Sequence, residues 1–137
     1  MRYVLSMIAV LVLSTGTGIA QDAYKPDVPV DTGSHTCTHQ GQDWNVSHVY
    51  EAPPGYHFTE NNWRAVEVSK FGAGSCTIEG VRRVPTQVTF PSGRKGTLQL
   101  VTGIAVRAYA DCTNDFGRIG SRVGTECRLE ATTERYD

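Results

Sequence analysis

Residues 97–112 alternate apolar and polar side chains: Leu98, Leu100, Ile104, Val106, Ala108, Ala110 and Cys112 fall on one side, Thr97, Gln99, Arg107, Tyr109 and Asp111 on the other. A period of two belongs to a half-buried strand, because successive β-carbons point to opposite faces. The run is long for one strand, so a bulge or bend is expected at Thr102-Gly103. Residues 123–134 repeat the pattern, with Val123, Cys127, Leu129 and Ala131 opposite Glu126, Arg128, Glu130, Thr132 and Glu134. Shorter candidate strands at 36–40, 47–52, 63–71, 75–81 and 87–90 are set among turn signals at Pro53-Pro54-Gly55, Asn61-Asn62, Gly72-Ala73-Gly74 and Pro91-Ser92-Gly93. About seven short strands with no helical periodicity imply an all-β fold. The expected architecture is an antiparallel β-sandwich, immunoglobulin-like in its spacing, or a partly open barrel.

Ahead of the strands, Arg2 precedes an apolar run over residues 3–13 and a small-residue stretch ending Gly18-Ile19-Ala20. That is the pattern of a secretory signal peptide, residues 1–20, cleaved before Gln21. The run is about half of the roughly 20 apolar residues that a membrane span needs. Pro26, Pro29 and Gly33 then mark residues 21–34 as an extended arm, and residues 35–137 form a single domain. The expected location is outside the cytoplasm, periplasmic or extracellular. Without Arg2 the 13 basic side chains become 12 against 14 acidic ones, a balance that argues against a nucleic-acid partner. The mature chain has no span, and no cofactor motif stands out.

Cys37, Cys76, Cys112 and Cys127 are even in number, and in an oxidising compartment they imply two disulfides with three connectivities open. Reading the last two strands as a hairpin favours Cys112 with Cys127, which leaves Cys37 for Cys76. Each bridge contributes about 2–4 kcal/mol.

Three constellations bear on function. In His35-Thr36-Cys37-Thr38-His39 the alternation puts all three potential ligands on one side of a strand. His35 and His39 are then about 13 Å apart at a strand's rise. A metal carrier built on them needs a bent chain, a free Cys37 thiolate or help from His48 or His57.

The second is Val30-Asp31-Thr32-Gly33-Ser34, which resembles the Asp-Thr-Gly active-site motif of aspartic proteases over five residues. The resemblance implies Asp31 as one of two carboxyls sharing a proton, the second supplied by a homodimer. The chain departs from that pattern in placing the motif in the arm, without a downstream apolar-apolar-Gly element.

The third is the segment 113–122 between the last two strands, which exceeds the usual hairpin length. It offers Phe116, Arg118, Ile119 and Arg122 as binding residues, and aromatic and Arg side chains dominate interface hot spots. The expected function is a non-catalytic recognition module for a protein or glycan partner. Trp44, Tyr50, Tyr56, Phe58 and Trp63 are either core or rings for stacking on a sugar, Arg82-Arg83 and Arg94-Lys95 read as solvated cations, and Asn45-Val46-Ser47 is a glycosylation sequon.

Overall fold

The computed structural model describes residues 21–26, 28–113 and 119–136. The chain folds into two antiparallel sheets, and no helix occurs among the described residues. In the first sheet β8 (Arg122–Arg135) is central. β5 (Tyr56–Phe71) pairs with one side of it, while β1 (Gln21–Tyr24), β2 (Val30–Asp31) and β3 (His35–Thr36) lie end to end along the other. The second sheet places β7 (Lys95–Asp111) between β4 (Asp43–Glu51) and β6 (Ala73–Thr89). The expected signal peptide lies outside the described residues.

β7 and β8 are the two most amphipathic strands, and each is buried on one side only. They bury those sides against each other across the sandwich rather than pairing edge to edge, so β7 and β8 do not form a hairpin. Phe58, Ile104, Val106, Leu129 and Val30 fill the space between the sheets. The rings of Tyr24 and Phe58 meet edge to face at 4.9 Å. β1 and β2 thus contribute Tyr24 and Val30 to the same core as they pair with β8.

The face-to-face packing corrects the expected disulfide pairing. Cys112 and Cys127 point inward from opposite sheets, and each bonds elsewhere: Cys37 joins Cys112 and Cys76 joins Cys127. Both bridges tie one sheet to the other. The Cα atoms of Cys76 and Cys127 are 5.7 Å apart, well inside the usual ~10 Å between stacked sheets. The neighbouring backbones approach closely as well. A β-carbon on Gly74 would fall 2.1 Å from Thr125 Oγ1 and 2.4 Å from the Tyr109 carbonyl oxygen, and one on Gly124 would fall 2.5 Å from the Gly33 carbonyl oxygen.

Two further expectations change. Of the candidate strand 36–40 only Thr36 is in a ladder, as the last residue of β3. Beyond it Gln42 Oε1 accepts the N–H groups of both Thr38 and His39, and Gly41 turns the chain at φ +90°. Candidates 75–81 and 87–90 are one strand, β6, which runs straight through Pro85.

The bulge expected in β7 is present. Arg82 faces Gly103 and Arg83 faces Val101, which leaves Thr102 without a register partner on β6. One extra residue reverses the alternation. Val101 therefore joins Ile104 in the core, and by register Leu98 and Leu100 fall on the opposite face from Ile104, Leu98 exposed and Leu100 buried.

Candidate contact surface

β4 ends at Glu51, opposite Gly103, whereas β6 and β7 continue together to the turn at 90–94. Residues 82–101 therefore form a two-stranded ribbon that projects beyond the three-stranded part of the sheet. Such a ribbon is marginally stable alone, and two ion pairs at its base anchor it. The Arg82 guanidinium holds both carboxylate oxygens of Glu51 and lies against Gly103, and Arg83 holds Glu60 at 2.6 and 3.0 Å. These hydrogen bonds hold the Glu51 and Glu60 carboxyls below the usual carboxylate range.

A depressed carboxyl contributes stability that is complete above its unfolded value of about 4.3 and is lost as pH falls through the folded value. Both pairs are largely exposed, so the effect on global stability is small. The local effect is larger. We expect Arg83→Ala, or acidification through that window, to lower the backbone order of residues 82–101 in ¹⁵N relaxation while leaving the sandwich strands unchanged.

Strand alternation sorts the ribbon's side chains. Val84, Thr86 and Val88 of β6 stand beside Leu100, Leu98 and Gly96 of β7 on the face turned away from the first sheet. The Phe90 ring folds over Gly96, where a β-carbon would fall 2.6 Å from it. Leu98 is 43% exposed, Phe90 39% and Val84 38%. At the base of the ribbon, Val49, Gly80, Gly103 and Ala105 line a shallow depression of about 320 Å³. The outer face of this sheet is thus apolar towards the ribbon, with the Arg82–Glu51 pair set into it. It is polar at the other end, where Asn45, Arg107 and Tyr109 lie, and Arg107 donates to the Asn45 side-chain oxygen. The Asn45 sequon sits on this polar half.

Phe116 and Arg118 lie outside the described residues. Ile119 is 78% exposed, and Arg122 donates to Ser34 Oγ and stands over the Phe71 ring at 5.2 Å. These two are at the opposite end of the sandwich from the ribbon. The His35 ring stacks on Trp44 at 4.2 Å and its Nε2 donates to the Thr32 carbonyl oxygen, while Cys37 is spent in a disulfide. Among the described residues no group of three or more His, Cys, Asp or Glu side chains converges as a metal ion requires. The Asp31 carboxylate accepts the Gly33 N–H at 2.8 Å, and Thr32 exchanges hydrogen bonds with Thr125, so Asp-Thr-Gly forms an Asx turn that seats the arm on β8.

A groove of about 750 Å³ crosses the outer face of the first sheet, with Lys25 on the arm side, Arg128 and Glu130 on its floor, and Asn61, Asn62 and Arg64 along β5. Arg64 is paired with Glu130, and Asn62 donates to Thr132. Of the aromatic stretch, Tyr50 and Phe58 are core, and Trp63 is half-buried against it.

No family model, curated protein or solved structure matches the chain. The apolar ribbon face is not read from the sequence because the expected bulge at Thr102-Gly103 leaves Leu98 grouped with the core side, whereas it is 43% exposed. The signal was there: a bulge at Thr102 carries a change of face with it.

Proposed function

We propose that the chain is a small exported recognition module without a catalytic role, which uses a disulfide-pinned, immunoglobulin-like sandwich to hold out the β6–β7 ribbon towards a protein partner in the periplasm or outside the cell. The observation that carries this reading is the outward apolar face of the ribbon, where Val84, Leu98 and Phe90 stand exposed next to Arg94 and Lys95. Large apolar side chains grouped on a projecting element mark interaction sites, and a flanking rim of cations fits the anatomy of interfaces. Two inter-sheet disulfides support an oxidising destination. Cleavage of residues 1–20 is part of the same proposal.

Ile119 and Arg122 offer a second contact at the other end, supported by the exposure of Ile119, and the sequence adds Phe116 and Arg118 to the same proposal. A glycan is the second reading of the partner. The polar groove over the first sheet favours it, since its carboxamide, guanidinium and carboxylate groups suit a sugar's hydroxyls.

Photo-crosslinking in the native host separates these readings, with benzoylphenylalanine placed singly at Leu98, Ile119 or Arg64. The expected result is a protein adduct from position 98. Adducts from 119 alone would move the contact to the end of the sandwich that carries Ile119 and Arg122, and a chain that crosslinks from none of the three positions would contradict the protein-binding reading.

A further inference from the structure

We propose that the open edge of β7 beside the ribbon pairs with the same edge of a second copy, giving a two-fold dimer centred on Leu98. The inference concerns the ribbon's edge, whereas the proposed partner contact concerns its face; both rest on the outward placement of Leu98, and beyond that either can fail without the other.

Among the described residues, residues 95–101 of β7 pair with β6 on one side and with no strand on the other, because β4 stops at Glu51 and the Ala52 N–H closes on the Thr102 carbonyl oxygen. The Phe90 N–H donates to the Arg94 carbonyl oxygen at 2.7 Å, which fixes the alternation. Residues 94, 96, 98 and 100 turn their backbone groups to β6, and residues 95, 97, 99 and 101 turn theirs to the open side. An unpaired row of this kind is a template for another strand.

The two edges of the ribbon differ. On β6 the same alternation sends residues 85, 87 and 89 outward, and Pro85 has no N–H to offer there. On β7 the open stretch Lys95-Gly96-Thr97-Leu98-Gln99-Leu100-Val101 has no proline and its single charge at the tip. Pairing is therefore open on β7 and blunted on β6. A pair of copies joined through β7 ends in two proline-blocked edges, a closed dimer rather than a growing fibre.

The register follows from hydrogen-bond parity. An antiparallel two-fold at Leu98 sets Thr97 against the second copy's Gln99 and Lys95 against the second copy's Val101, and all four residues present outward backbone groups. The two Leu98 side chains then meet as a non-hydrogen-bonded pair, the closer of the two kinds of cross-strand pair. Charge supports the same choice. The ribbon carries Arg82, Arg83, Arg94 and Lys95 and no acid. Antiparallel pairing keeps the two Lys95 residues about 20 Å apart, beyond the ~8 Å screening length, whereas parallel pairing would set them side by side. It also brings Arg94 of each copy in line with the end of the other's β4, where Glu51 stands on the outer face. Joined in this way, the two ribbons present one four-stranded outer face with the apolar side chains of both copies.

The test is sedimentation of the disulfide-intact protein over a concentration range up to about 1 mM, which detects a dimer with a dissociation constant in the millimolar range or tighter. Dimer is expected at the upper end. Gln99→Pro removes an outward N–H, and Leu98→Lys sets two cations face to face. Each is expected to weaken association at least about tenfold, with the circular dichroism spectrum and both native disulfides unchanged. Leu98→Cys is expected to give a disulfide-linked dimer under mild oxidation, and Thr86→Cys, on the same face but across on β6, is not. A protein that stays monomeric to that concentration, or a dimer that survives both substitutions, would overturn the proposal. A Leu98 photo-adduct of twice the chain mass supports it, while a hetero-adduct from a strictly monomeric protein would keep the partner contact and discard the dimer.

Discussion

Replacing Cys76 and Cys127 together by Ala is expected to lower the unfolding free energy by about 4 kcal/mol, because the bridge closes a 51-residue separation whose loop entropy is of that order. Reduction of the bridge acts in the same direction. The bond also holds β6 of one sheet to β8 of the other where Gly74 and Gly124 allow close approach, so its loss releases the narrow end of the sandwich. Typical domains have 5–15 kcal/mol in total, and one such loss is a large share. Urea unfolding of the double variant, with peptide mapping of the remaining Cys37–Cys112 bond, measures it. A loss below about 1 kcal/mol would mean that the bridge does not constrain the unfolded chain as its position implies.

Phe58→Ala is expected to cost about 3–5 kcal/mol, the range for deleting a buried aromatic ring. Phe58 is fully buried, packs against Tyr24 from the arm, and belongs to the cluster of Ile104, Val106 and Leu129. The cavity would open between the sheets where large side chains, rather than a disulfide, fill the space. A companion change, Tyr24→Ala, removes the arm's ring from the same contact and is expected to loosen residues 21–26 on β8. If Phe58→Ala cost under 1 kcal/mol, the arm and the two sheets could not share the core described.

The class of fold was legible because β7 and β8 carry their burial pattern in plain alternation, and residues such as Val106, Ala108, Cys127 and Leu129 sit where that period places them. The pairing of the strands was not, since alternation states which side is buried and not which neighbour buries it. Two amphipathic strands in succession suit a hairpin or an arch equally well, and the cysteine pairing followed the wrong choice. Pro85 broke one strand into two in the sequence, although an edge strand accepts proline where no ladder bond is lost. The candidate surface depended on one residue, Thr102, whose extra position sends Leu98 outward. The anchors Arg82 and Arg83 were visible as paired cations, but their partners Glu51 and Glu60 lie 31 and 23 residues away and only the folded chain brings them together.

The face reversal at Thr102 underlies both the contact surface and the dimer, and the stability of Leu98→Asp tests it most directly. With Leu98 outward on the ribbon, equilibrium urea unfolding at a concentration where the protein is monomeric should show a change within about 0.5 kcal/mol, as for an exposed side chain. A loss of about 3 kcal/mol or more would place Leu98 in the core, as an unbroken alternation requires, and would contradict the outward apolar face.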